Sequence, residues 1–233
     1  MNKSYAIVLA GGSGSRMGGD IPKQYRLLKE IPVLCYSLRT FENSAVEGIV
    51  IVTADNMQEY VSKELVEKYN IKKIAAITAG GSERYLSVWQ GLQCLPDTGT
   101  VLVHDGARPF VSEELIGRVL EGAQTYRACI PGIPVKDTIK QVSEQRVVHT
   151  PPRRELYAVQ TPQAFDLAML KEAYHRLLGG GKDNVEITDD AMLVETILGE
   201  TVHVVEGDIY NMKLTTPEDM LVAEIFANNL KKR

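Results

Sequence analysis

The chain has 233 residues, 44% of them hydrophobic, enough to bury the core of one large α/β domain without dividing into smaller units. Its 26 Lys and Arg against 30 Asp and Glu give a formal charge of -4, so the whole molecule does not attract polyanions; no nucleic-acid partner is expected, and a nucleotide must be drawn by local charge. There is no apolar run of about 18 residues, and glycines interrupt MNKSYAIVLAGG at once, so neither a membrane span nor a secretory leader is expected, and a cytoplasmic location is.

In chain order, YAIVLA, EGIVIVT, KIAAIT and TVLVHD each have strand length and β-branched content, with segments of helical spacing between them. Val33, Leu34, Leu38 and Phe41 mark one helical face; Tyr85, Val88, Trp89, Leu92 and Leu95 mark another. This alternation predicts βαβ units and a largely parallel, Rossmann-like sheet in a single domain over 1–233. From Pro131 to Pro152 the pattern changes to two alternating strands around the turn SEQR, a hairpin arm over 134–152 projecting from the sheet. A helix near 166–177, the flexible GGGK, a helix opening at Thr188, strands TVHVVE and IYNMKLT and a last helix from Pro217 complete the chain. Cys35, Cys94 and Cys129 are isolated beside apolar residues and read as core thiols, since their number and spacing suit neither zinc nor a disulfide framework.

The chemistry starts where YAIVLA runs into GGSGSRMG. Gly11, Gly12 and Gly14 permit positive φ and close backbone approach, so the loop can surround an anion with N–H groups. The Walker motif lacks its terminal Gly-Lys-Ser/Thr, and Met17 stands where a dinucleotide fingerprint needs its third glycine. Arg16 and Lys23, the latter stiffened by Pro22, bring a fork donor and a point charge to one polyphosphate. Asp105 ends an apolar strand, where α/β sheets bind ligands; it either meets Mg²⁺ or caps the turn into GARP. Arg108 either orients Asp105 or meets a second substrate, and His104 reads as a packed strand residue, no second His or Cys standing at metal spacing. Ser82 reads as a cap of the helix that follows, with Glu83 in its first turn, and Thr188 before DDA reads as another N-cap.

LAGGSGSRMGGDIPKQY resembles the glycine-loop signature of nucleotidyltransferases, specifically the 2-C-methyl-D-erythritol 4-phosphate cytidylyltransferase family. GGSERYLSVWQGL, VLVHDGARPFV, IPVKDTIK, RRELYAVQTPQAF, ITDDAMLVE and YNMKLTTPEDM follow in the same order over nearly the whole chain. The resemblance implies transfer of CMP from CTP to a polyol phosphate, with Mg²⁺ and release of pyrophosphate. It implies Arg16, Lys23 and Lys213 as catalytic cations and Asp105 as the metal contact. Leu9, Ala10, Gly11, Gly12, Ser13, Gly81, Ser82, Ser87, Asp105 and Gly106 would hold the nucleotide, with main-chain groups at the cytosine edge and Ser87 near the ribose. An acid often stands where this chain has Ser82. Asp105, Arg108, Asp137, Thr138, Arg153, Thr161, Thr188, Asp189 and Lys213 would hold the acceptor. It also implies a homodimer whose arm carries an arginine, here Arg153, into the neighbouring active site. A ribitol 5-phosphate cytidylyltransferase shares much of the glycine loop and the His-Asp-x-x-Arg-Pro-Phe run; PVKDTIK and TDDAMLVE lean toward methylerythritol phosphate. An NAD-binding oxidoreductase or a regulatory nucleotide-binding module has no use for Lys23.

Overall fold

The computed structural model of the chain describes residues 3–12, 21–180 and 187–230. Strand β1 (Ser4–Ala10) leads into Gly11 and Gly12; from Ile21 the chain continues through a 3-10 turn (Lys23–Tyr25) into a short ladder of β2 (Leu27–Leu28) with β3 (Ile31–Pro32). There follow α1 (Val33–Asn43), β4 (Gly48–Thr53), α2 (Gln58–Tyr60) widening into a π turn over Val61–Glu67, and β5 (Ile74–Ala79). Next come α3 (Arg84–Gln93), β6 (Thr100–Asp105), α4 (Glu113–Tyr126) and β7 (Ala128–Pro134). The hairpin β8 (Gln141–Ser143) and β9 (Arg146–His149) precedes β10 (Tyr157–Val159), β11 (Gln163–Asp166) and α5 (Leu167–Leu178). The chain closes with α6 (Asp190–Leu193), β12 (His203–Glu206) and α7 (Pro217–Leu230).

The main sheet runs β10-β7-β11-β6-β1-β4-β5, with β12 also pairing β7. The pairs β6/β1, β1/β4, β4/β5 and β12/β7 are parallel; β11 and β10 add antiparallel partners. Both faces are covered, which is why β4 and β6 read as unbroken apolar runs and not as an alternation. Ala6, Val8 and Ala10 join a cluster with Leu34 and Phe41 of α1 and Leu115 and Val119 of α4. Ile7 points the other way, into a cluster with Val88 and Leu92 of α3 and Leu170 and Tyr174 of α5. Helix α3 sits so close to the sheet that a Cβ on Gly91 would lie 2.8 Å from Ile7 Cγ2 and 3.0 Å from Val52 Cγ2.

Register decides where ligands can bind. Leu9 lies opposite Asp105 on one side and Val52 on the other, and Thr53 opposite Ala79. Four neighbouring parallel strands therefore end level, and the segments leaving them (Gly11–Gly12, Ala54, Gly80–Gly81 and Gly106) share one rim.

The hairpin forms about the expected turn, with Glu144 and Gln145 at φ 47° and 62°, the two positive φ values of a type I′ turn. All its strand residues are exposed, including Val142, Val147 and Val148. Three expectations need correction. IYNMKLT forms no strand, because its bonds go to loops: Leu214 N–H donates to Ala107 O (2.8 Å) and Asn211 Nδ2 to Thr161 O (2.8 Å). Helix α6 starts one residue later than expected, capped by the Asp189 carboxylate, which accepts from Met192 N–H at 2.8 Å. Cys35 and Cys129 are buried, as core thiols should be, but Cys94 is exposed at the end of α3.

Candidate active site

A cavity of about 450 Å³ opens on that rim. One wall is Leu9, Gly11, Gly12, Lys23 and Gln24. Gln24 fixes it by donating from Nε2 to Ala10 O at 2.6 Å and Gly12 O at 3.0 Å. The Tyr25 hydroxyl donates to Ala10 O at 3.1 Å and accepts from the Thr53 hydroxyl. Pro22, extended at φ -56° and ψ 142°, starts the turn that sets Lys23 at the cavity.

The facing wall is Gly81, Ser82, Glu83, Arg84 and Ser87. Ser87 Oγ accepts from Gly81 N–H and donates to Glu83 O, both at 3.1 Å, folding the Gly-Gly-Ser-Glu turn back on α3. A Cβ on Gly81 would lie 2.4 Å from Leu86 Cβ, so only glycine fits this turn. Ser82 does not cap α3 as expected: Glu83 holds the cap position and no side chain accepts there.

Asp105, Ala107 and Lys213 complete the lining. Lys213 Nζ lies 2.8 Å from Asp105 Oδ2, and Arg84 Nε lies 3.5 Å from Oδ1. Burial pushes the Asp105 carboxyl up, but Arg84, Lys213 and Arg108 outweigh it and hold the group well below the usual carboxylate range. Asp105 therefore does not cap the turn with its side chain; it is the anionic centre of a cationic cluster. Arg84 is held from behind by Asp190, whose Oδ2 lies 2.9 Å from Nη2 and whose Oδ1 accepts from the Tyr174 hydroxyl at 2.6 Å. Burial opposes the charge on Arg84, and Asp190 and then Asp105 overcome it, raising its pKa. Burial, reinforced by Asp190, pushes Tyr174 well up.

A smaller cavity of about 160 Å³ adjoins, lined by Arg84, Asp105, Arg108, Val159, Gln160, Thr161, Gln163, Thr188, Asp189 and Lys213. The two share Arg84, Asp105 and Lys213. Arg108 bonds to backbone, Nη1 donating to Asn211 O at 2.8 Å, and its buried Nε has no hydrogen-bond partner among the described residues. Asp189 is committed to its cap and to Gln163 Nε2, 2.7 Å from Oδ2, whereas among the described residues the exposed Thr188 donates to Met192 Sδ at 3.4 Å. Asp105 N–H donates to Thr161 Oγ1 at 3.0 Å. His104 is packed as expected, fully buried against Phe41, and burial lowers its pKa to about 4.

Of the residues singled out in the sequence, these cavities unite Leu9, Gly11, Gly12, Lys23, Gly81, Ser82, Ser87, Asp105, Arg108, Thr161, Thr188, Asp189 and Lys213. Ala10 and Gly106 stand behind the lining, Ala10 by its carbonyl and Gly106 by an N–H donated to Leu9 O at 2.9 Å. Ser13 and Arg16 lie outside the described residues. Asp137, Thr138 and Arg153 line neither cavity; all three are exposed, and Arg153 Nη1 donates to Lys136 O at 3.0 Å. Sequence reasoning missed Gln24, Arg84 and Asp190. Gln24 stood beside Lys23, and Arg84 opens a helix beside two glycines, the place for a ligand-facing cation.

Among the described residues no three His, Cys, Asp or Glu gather as a metal cage. Mg²⁺ needs less, one carboxylate with phosphate oxygens and waters. Asp105 fits that demand: its Oδ1 is 3.5 Å from Arg84, longer than a charge-assisted bond, and retains a lone pair. No described helix is long and apolar enough to cross a membrane.

Residues 4–229 match the family model for 2-C-methyl-D-erythritol 4-phosphate cytidylyltransferase. The chain belongs to that family. The cytidylyltransferase of that name from Lachnoclostridium phytofermentans is 44% identical over 225 residues, 96% of each chain. The one from Bacillus cereus is 45% identical over 228 residues, 97% of this chain and 98% of its own. The crystal structure of 4-diphosphocytidyl-2C-methyl-D-erythritol synthase from Anaerococcus prevotii superposes with a TM-score of 0.85 at 32% identity, covering 97% of this chain and 99% of that one. The shared region runs from β1 into α7 and contains both cavities of this cytidylyltransferase fold, which sets aside the oxidoreductase and regulatory-module readings.

Proposed function

We propose that the chain transfers CMP from CTP to 2-C-methyl-D-erythritol 4-phosphate, giving 4-diphosphocytidyl-2-C-methyl-D-erythritol and pyrophosphate in the non-mevalonate route to isoprenoids. The observation that carries this reading is the junction of two cavities, one glycine-walled and one polar, at Asp105, Arg84 and Lys213. Two phosphorylated substrates meeting there would place their phosphates among the same cations.

In the step itself an oxygen of the acceptor phosphate bonds to the α-phosphorus of CTP, and the bond from that phosphorus to the β-phosphate oxygen breaks, its electron pair leaving on pyrophosphate. No protein nucleophile is required; the protein contributes alignment and charge. Lys23, with Arg16 seven residues before it in the sequence, neutralises the CTP phosphates as charge shifts to the leaving group. Gly11 and Gly81 offer main-chain groups to the cytosine. Ser87, having given its proton to Glu83 O and one lone pair to Gly81 N–H, meets a ribose hydroxyl only as an acceptor. Lys213, and Thr188 with its exposed hydroxyl, face the acceptor. Asp105 would hold Mg²⁺ jointly with phosphate oxygens, and the ion when bound supplies further charge neutralisation there.

The enzyme works as a homodimer through its arm. Support comes from the hairpin, whose Val142, Val147 and Val148 are 56%, 60% and 62% exposed, apolar surface that a second copy would cover. Arg153, away from its own chain's cavities, then serves the partner's acceptor site.

Pyrophosphate release from purified protein decides the reading, each nucleoside triphosphate being offered with methylerythritol 4-phosphate and with ribitol 5-phosphate. Release is expected with CTP and methylerythritol 4-phosphate. Release only with ribitol 5-phosphate, or with neither acceptor, would overturn it.

A further inference from the structure

His104 follows the β6 alternation away from Asp105 and makes two hydrogen bonds that the transfer mechanism above does not use. Its Nε2 lies 3.1 Å from the Arg108 carbonyl oxygen. A carbonyl only accepts, so Nε2 carries the proton. In the neutral ring Nδ1 is then an acceptor, and Thr161 Oγ1, 3.2 Å away, donates to it. The same oxygen accepts the Asp105 N–H at 3.0 Å. Thr161 has thereby given away its one proton and one of its two lone pairs.

We propose that His104 is a positioning residue for CMP transfer: through Thr161 and the Arg108 carbonyl it fixes the turn bearing Asp105 and Arg108 and leaves Thr161 able only to accept. The inference rests on the transferase reading and refines it. Thr161 lines the smaller cavity with one lone pair to offer. It therefore reads a hydroxyl of the polyol and cannot donate to its phosphate, which falls to the cations. The ring is fully buried, which disfavours its charged form and agrees with these donor and acceptor roles. Phe41 packs edge-on against the ring at 5.2 Å between centroids, so the imidazole has little room to flip and exchange its two nitrogens.

Two measurements test the proposal. Nitrogen NMR of histidine-labelled protein, with His104 assigned by its loss in a variant, should show a protonated Nε2 and a bare Nδ1 at neutral pH. The opposite tautomer or an imidazolium would overturn the polarity argument, and this readout needs no activity. In kinetics, His104→Phe keeps a flat ring but removes both bonds and should lower kcat/KM for the acceptor about 10- to 100-fold, with KM for CTP changed less than about twofold. His104→Asn, which places an amide oxygen where Nδ1 stood, should regain much of that loss and also covers the case in which the Phe variant fails to fold. Thr161→Val combined with His104→Phe should cost about as much as the worse single variant. Additive losses, or full acceptor kcat/KM in folded His104→Phe, would return His104 to packing alone. Wild-type protein inactive with CTP and methylerythritol 4-phosphate would instead sink the transferase reading, while the tautomer would still be read from the spectrum.

Discussion

The glycine-walled side of the molecule and its arm are built on opposite plans. Around the larger cavity every wall is tied within one chain: Gln24 and Tyr25 to the Ala10 carbonyl, Ser87 to Gly81, and Asp190 behind Arg84. The arm holds itself by its own ladder, leaves its valines exposed, and keeps Arg153 on a neighbouring backbone carbonyl. A preorganised phosphate site needs such bracing, since each donor must be in place before charge develops. A segment proposed to complete another subunit's site needs surface instead.

The largest effect should come from the braced side. Lys23→Ala, and likewise Arg16→Ala, should lower turnover by about 10² to 10³-fold, on the scale of removing one preorganised donor. Steady-state rates with melting curves check this, and near-normal turnover in Lys23→Ala would remove the contrast. Asp105→Asn comes next. It should raise the Mg²⁺ concentration for half-maximal rate at least about tenfold, because the cavities would lose their central anion. An unchanged Mg²⁺ dependence would leave Asp105 as a partner of Arg84 and Lys213 only.

Bracing also predicts a stability cost away from the ligand. Tyr174→Phe deprives the buried Asp190 Oδ1 of its donor and should cost about 1–3 kcal/mol in denaturant titrations. That cost should not depend on protein concentration, because the bond lies within one chain. A smaller cost, or one that shrinks on dilution, would blur the distinction between the two regions.

The mildest effect is one of pH. The fully buried His104 titrates near 4 against an ordinary 6.5, so between those values the unfolded chain binds the proton more readily. Stability should therefore fall as pH drops through that window, by at most about 3.5 kcal/mol. Asp105, whose pKa is depressed, contributes stability that is intact above its ordinary 3.8 and is lost only in stronger acid. Calorimetry of wild type and His104→Asn should show the variant flattened in the upper window alone; identical profiles would put the titration elsewhere.

What could be read from the sequence follows the same division. Strands β1, β4 and β6 announced themselves because burial on both faces demands unbroken apolar runs, the half-exposed edge strand β5 by its β-branched content, and the glycines and Lys23, which line the larger cavity, by residue types that suit phosphate chemistry. IYNMKLT alternates like a strand, but alternation carries no information about whether a neighbour exists to pair with it. Arg84 and Asp190, the first residues of α3 and α6, are over a hundred residues apart in the chain and meet only in the fold, so their ion pair had no local signature. Ser82 had the composition of a cap, yet the turn closes through Ser87. The arm was legible as a hairpin from its turn, while the role proposed for it depends on a second copy.

The proposed split between a self-contained nucleotide side and an acceptor residue borrowed across a dimer is tested most directly by mixing two inactive variants, Lys23→Ala and Arg153→Ala. If Arg153 crosses to the partner, a mixed dimer has one site carrying both lesions and one carrying none. Random subunit exchange makes about half the dimers mixed, so activity should return to about one quarter of wild type, by the two-fold symmetry of the pair. If Arg153 serves its own subunit, every site carries one lesion, and a mixture shown by mass spectrometry to contain heterodimers would remain inactive.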